Sequence, residues 1–184
     1  LRRVLHDRYG WLPATHVARY EKGQRYFKRR WISATREREL RRDFRNAWRV
    51  RTDHYLVLTN HSLERGVQVG RALETYHGFF RQTFAAFFRS PKQLQRLFDG
   101  AATSRRRAVA PKPFVVHYYS TRGEYIQTLK PRIDQIGITN GLYMPDDRVA
   151  YFYHDPEADG ERTLYHEATH QLFFESTSRP RPIA

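Results

Sequence analysis

The apolar positions fall into two kinds of run. "DHYLVLTN" at residues 53–60 is a compact β-branched and aromatic stretch closed by Asn, the pattern of a buried strand. Over residues 62–88, Val69, Leu73, Tyr76, Phe80, Phe84 and Phe87 recur at three- and four-residue steps, which predicts a long helix with one aromatic face turned to a core. Ser90-Pro91 then supplies an N-cap and a first helical residue for a short helix to Phe98. "FVVHYYS" is a second strand, and Thr121 with Glu124 makes a capping box for a helix to about Leu129. Residues 138–144 and 149–153 flank Pro-Asp-Asp-Arg, so they pair as an antiparallel hairpin. A last helix starts near Glu161 with Asp159 as its N-cap. Strand, long helix, strand, helix, hairpin and helix together predict an α+β fold, with a small mixed sheet packed against the long helix.

The first part of the chain reads differently. "HVARYEKGQRYFKRRWIS" holds two aromatic, β-prone runs about Lys22-Gly23, a small hairpin, and residues 34–48 read as a charged helix. Residues 1–51 are thus taken as a basic, poorly packed N-terminal arm, and residues 52–184 as the main domain. The charge follows that division: of a net +14, residues 1–51 carry 16 Lys and Arg against 5 Asp and Glu, and the rest 17 against 14. Arginine outnumbers lysine 28 to 5 and is scattered over helical polar positions, a pattern that does not favour nucleic acid as a partner.

With 184 residues, 40% of them hydrophobic, the chain is long enough and apolar enough for a real core. No apolar run reaches the roughly 20 residues of a membrane-spanning helix. The absence of cysteine excludes disulfides and thiolate metal sites. The first residue is Leu and not Met, so the compartment stays open, including export with a signal segment ahead of this sequence.

The chemistry concentrates in "TLYHEATHQLFFES", residues 163–176. Four residues advance a helix by about 400°, so His166 and His170 lie one turn apart on one face and their imidazoles can converge on a single ion. Neutral imidazoles suit tetrahedral zinc, leaving positions for a third ligand and a water. Glu167 follows the first histidine and is placed to take a proton from that water, as general base and then acid, without ligating. Leu164, Ala168 and Leu172 form a separate apolar stripe for packing on the sheet, with Phe173 and Phe174 thickening it. Tyr165 and His154 are further candidates for contact with the site or substrate.

"HEATH" on a helix after a hairpin, with "HYLVLTN" and a long helix ahead of it, resembles the catalytic domain of HExxH zinc metallopeptidases of the thermolysin-like, gluzincin superfamily. The stretch from "DHYLVLTN" through "GITNGLYMPDDRVAYFYHD" to "LYHEATHQLF" is also similar to a bacterial family of uncharacterised metallopeptidase-like proteins described as a domain of unknown function. The resemblance implies a zincin-like N-terminal half, Zn2+ as cofactor and hydrolysis of a peptide or protein substrate. It also implies that a strand of the hairpin, Val149–Tyr153, holds an extended peptide, and that a glutamate on a later helix is the third zinc ligand.

Glu175 does not supply that glutamate, because five residues beyond His170 place it about 140° round the helix. Phe173 and Ser176 stand where the extended histidine-type motif needs glycine and a third histidine. The expectation is therefore a C-terminally truncated, inactive fragment whose third ligand lies beyond Ala184. Two rival readings stand beside it: an anion- or nucleic-acid-binding module working through the basic arm, and a catalytically silent zincin-like interaction domain.

Overall fold

A computed structural model describes residues 2–84, 87, 112–156 and 160–177. The short helix expected at residues 90–98 and the expected Asp159 cap lie outside them. The described residues form an α+β fold of five α-helices, a five-stranded mixed sheet and two separate hairpins.

The sheet contains β5 (Trp48–Arg51), β6 (Tyr55–Thr59), β7 (Phe114–Tyr119), β8 (Gly141–Met144) and β9 (Val149–Tyr153), in the order β5-β6-β7-β9-β8. The three central strands β6, β7 and β9 are parallel, and both outer strands run antiparallel to their neighbours. Alternation follows the pleat: Tyr55, Val57 and Thr59 of β6 are buried and Leu56 and Leu58 only partly so. All five residues of β9 are buried, as expected of a strand covered on both faces.

Helix α3 (Leu63–Thr83) crosses one face of this sheet. Ser62 caps it, its hydroxyl accepting from Arg65 N at 3.0 Å. Val69, Leu73 and Phe80 are buried as the periodicity predicts, whereas Phe87 is 67% exposed. Gly66 and Gly70, one turn apart, let α3 settle closely: a Cβ on Gly66 would lie 3.0 Å from both Thr59 Cγ2 and Val50 Cγ2. Helix α5 (Gly160–Thr177), which carries the histidine motif, lies beside α3 on the same face. Helix α4 (Arg122–Leu129) covers the opposite face with Tyr125 and Leu129, over Tyr119, Tyr151 and Tyr153. Its N-cap is the predicted one, with Glu124 N donating to Thr121 Oγ1 at 3.2 Å; the Glu124 carboxylate turns instead to Asn60 and Ser120. No helix among the described residues is long and apolar enough to cross a membrane.

Three expectations about the first fifty residues are corrected. The hairpin pairs β3 (Gln24–Phe27) with β4 (Arg30–Ser33) about Lys28-Arg29, while Val17–Glu21 is a short helix, α1. The charged helix α2 ends at Leu40 and not Trp48, because Ser33 caps Ala34–Leu40 and Trp48 joins the sheet as the first residue of β5. Nor is the stretch loosely packed. With the hairpin of β1 (Arg3–His6) and β2 (Gly10–Pro13), it builds a small core of Tyr9, Leu12 and Tyr20. Arg25, only 6% exposed, lies between the Tyr9 and Tyr20 rings, donates to Tyr20 O at 2.9 Å and pairs with Glu37 and Glu64. That clustering of aromatic rings round a guanidinium has no 2.0 or 3.6 periodicity and is hidden from a pattern reading.

Candidate functional site

The motif helix is fixed by its apolar stripe. Leu164, Ala168 and Leu172 are 4%, 1% and 2% exposed, and they hold α5 on the sheet as the sequence predicts. Phe173 packs edge-on against Phe80 and Phe84 of the α3 segment, whereas Phe174 is 41% exposed and meets the Tyr143 ring at 5.9 Å. Gln171, fully buried, donates to Val115 O and Arg148 O at 3.3 and 3.4 Å, tying the helix to the ends of β7 and β9. Thr169 donates to Tyr165 O at 2.7 Å and shares a hydrogen bond with Tyr76 of α3.

With that stripe turned inward, the histidines point out. His166 and His170 are exposed, their rings edge-to-face with centroids 4.8 Å apart, and their Nε2 atoms are 3.2 Å from each other. Two nitrogens bound to one tetrahedral zinc at roughly 2.0–2.1 Å stand about 3.3 Å apart, so the pair has the spacing of shared ligands. Glu167 sits beside them, half-buried, with Oε1 4.0 Å from His166 Nε2. Its other oxygen, Oε2, accepts from the backbone N–H of Tyr143 at 3.0 Å. The carboxylate is thereby held between the Tyr143 amide and the His166 imidazole.

That hydrogen bond brings β8 into the site. Tyr143 turns its N–H away from β9, and the glycine two residues earlier allows the strand to lie against α5: a Cβ on Gly141 would come within 3.0 Å of Glu167 Cγ and 3.1 Å of Thr163 Cγ2. Between strand and helix lies a cleft of about 480 Å³ lined by Thr139, Asn140, Gly141, Arg162, Thr163, His166 and Glu167. No protein-family model, curated protein or solved structure matches the chain. The site therefore rests on its own geometry.

The remaining predicted groups fall as follows. Glu175 is held off the histidine face as its helical phase requires: Arg148 donates to it from Nε at 2.6 Å and from Nη2, and Tyr143 OH donates at 3.3 Å. Burial, with Glu175 next to it, pushes the Tyr143 hydroxyl up to about 12, so it stays a donor. Among the described residues no third histidine or carboxylate atom lies within 4.8 Å of both motif imidazoles. Tyr165 stacks on Tyr76 at 4.9 Å, and His154 meets His61 and the Tyr118 hydroxyl. The Val149–Tyr153 strand is not the free edge: β9 is paired on both sides, to β7 and to β8, so its backbone has no open side. The outer strand of the hairpin is Gly141–Met144.

Gly141, Tyr143 and Gln171 were not singled out from the sequence. A glycine inside a strand pattern is a usable signal of close backbone approach, and "NGLYM" carries it. The partner of Tyr143 N–H lies 24 residues away and those of Gln171 lie 56 and 23 residues away, beyond any local pattern.

Proposed function

We propose that the chain carries the zinc-binding helix and catalytic carboxylate of a metallopeptidase, with His166 and His170 as ligands and Glu167 as general base and acid. The observation that carries this reading is the 3.2 Å separation of the two exposed Nε2 atoms beside a carboxylate that does not itself join them as a ligand. When bound, zinc would lower the pKa of a water toward about 7 and polarise a carbonyl.

The chain's own groups do the rest. Glu167 takes a proton at Oε1 from the attacking water and gives it to the leaving amine. Its Oε2, bonded to Tyr143 N–H, keeps the carboxylate oriented during both transfers. The role that the resemblance gives to a hairpin strand falls to the outer strand Gly141–Met144 beside the cleft and not to Val149–Tyr153, through backbone groups other than the Tyr143 N–H that Glu167 already holds. The resemblance gives the third position to a glutamate, and none of the described residues supplies it.

The test is a peptide-cleavage assay on the complete gene product with zinc. The expected result is hydrolysis that Glu167→Gln lowers by about 100-fold or more while bound zinc is kept. Equal activity in Glu167→Gln would overturn the assignment.

A further inference from the structure

A second cluster of ligand-type side chains lies on other elements. Glu74 and His77 stand three residues apart on α3, hence on one face of that helix. The turn ahead of β6 brings His54 to them. Thr52 N donates to Tyr55 O at 3.0 Å, Tyr55 N donates to Thr52 Oγ1 at 3.1 Å, and His54 O accepts from Phe114 N at 2.8 Å. So fixed, His54 donates its backbone N–H to Glu74 Oε1 at 2.6 Å and sets its Nδ1 2.7 Å from Glu74 Oε2. The His77 ring stacks on the His54 ring with centroids 3.9 Å apart. One ligand atom from each of the three residues lies within 4.8 Å of the other two, which no other His, Asp or Glu trio among the described residues achieves.

We propose that His54, Glu74 and His77 form a second divalent-metal site, of zinc type, distinct from the histidine pair on α5. Two imidazoles and one carboxylate are a zinc donor set, and three protein ligands leave a position for water or an exogenous ligand. Glu74 and His77 are half-buried and the His54 side chain is 43% exposed, so the cluster is reachable from solvent. The ion replaces the proton shared by His54 Nδ1 and Glu74 Oε2. That proton moves to His54 Nε2, and the two atoms open from 2.7 Å to roughly 3.3 Å by side-chain rotation. The Glu74 carboxylate keeps its orientation from the His54 backbone N–H, the kind of outer contact that fixes a ligand. The metal ties the turn before β6 to the middle of α3.

This inference does not depend on the peptidase reading, and its test removes the other histidines first. Protein carrying His166→Ala and His170→Ala is dialysed against micromolar zinc and its metal content measured, with circular dichroism to follow folding. About one zinc per chain is expected, falling to about a tenth when His77→Gln is added, and a thermal midpoint that zinc raises in the parent and not in His77→Gln. His54→Gln, in the turn and outside the helix, must have the same effect, which covers a His77 variant that fails to fold. No bound zinc in the double variant, or zinc that survives both His77→Gln and His54→Gln, would overturn the proposal.

Discussion

Replacing Gly141 by alanine tests how tightly the edge strand is built against the motif helix. The new methyl group would sit 3.0 Å from Glu167 Cγ, 3.1 Å from Phe152 Cδ1 and 3.1 Å from Thr163 Cγ2, each well inside the 3.5–4.0 Å of an ordinary carbon contact. None of the three can step aside cheaply. Phe152 is 3% exposed in the core, Thr163 is on the helix backbone side of the cleft, and the Glu167 carboxylate is held by Tyr143 N–H. Overpacking of this kind costs about 1–3 kcal/mol, and the least-resisted relaxation moves β8 away from α5. That movement lengthens the Tyr143–Glu167 bond, which contributes about 1.5–3 kcal/mol as a hydrogen bond to a charged group. Urea denaturation should therefore show Gly141→Ala less stable by about 1–3 kcal/mol, and the Tyr143 amide should lose hydrogen-exchange protection more than its neighbours. Unchanged stability with an equally protected Tyr143 amide would refute the close packing and, with it, the account of how Glu167 is aimed.

Further outcomes follow from other parts of the structure. Lys28 and Arg29 both have positive φ, 43° and 68°, in the two-residue turn between β3 and β4, so Lys28→Asn with Arg29→Gly should raise stability by about 0.5–1 kcal/mol in thermal melts. Glu37, 3% exposed, faces Arg25 and Arg41, and Glu37→Ala should cost about 3 kcal/mol by leaving two cations without their buried partner; a loss within 1 kcal/mol on the same urea scale would contradict the pairing. Burial holds His117, packed between Phe44 and Tyr151, down to about 4 from the ordinary 6.5. The unfolded chain then binds more protons than the folded one between those values. Stability is full above pH 6.5 and falls as pH drops toward 4, by on the order of 2–3 kcal/mol from this group. His117→Phe should flatten that slope in urea midpoints compared at pH 7 and 5, and His77 adds a decline of the same sign in the same window.

The main sheet was legible because its strands and helices obey simple periods. Val69, Leu73 and Phe80 face the core at helical spacing, and "GLYM" and "VAYFY" flank a turn whose residues announce themselves. Pairing order was not legible, since "VAYFY" reads as an equally good edge or central strand until its neighbours are known; only the sheet shows that it is inside and Gly141–Met144 outside. The histidine motif was readable because all three groups lie within one turn of a helix. The His54 cluster was not, because only Glu74 and His77 are near in sequence and His54 is brought in from 20 residues before Glu74 by the turn at Thr52. The N-terminal stretch misled because its core uses rings stacked on a buried arginine, a residue that a pattern reading counts as polar.

Zinc titration of the 184-residue chain, followed by nitrogen NMR of the imidazole Nε2 atoms, bears most directly on the motif pair. The account predicts that the Nε2 resonances of His166 and His170 shift together, at one zinc concentration, and that His166→Ala removes the response of His170. Resonances that move at different zinc concentrations, or a His170 signal that responds unchanged without His166, would show that the two rings do not share an ion.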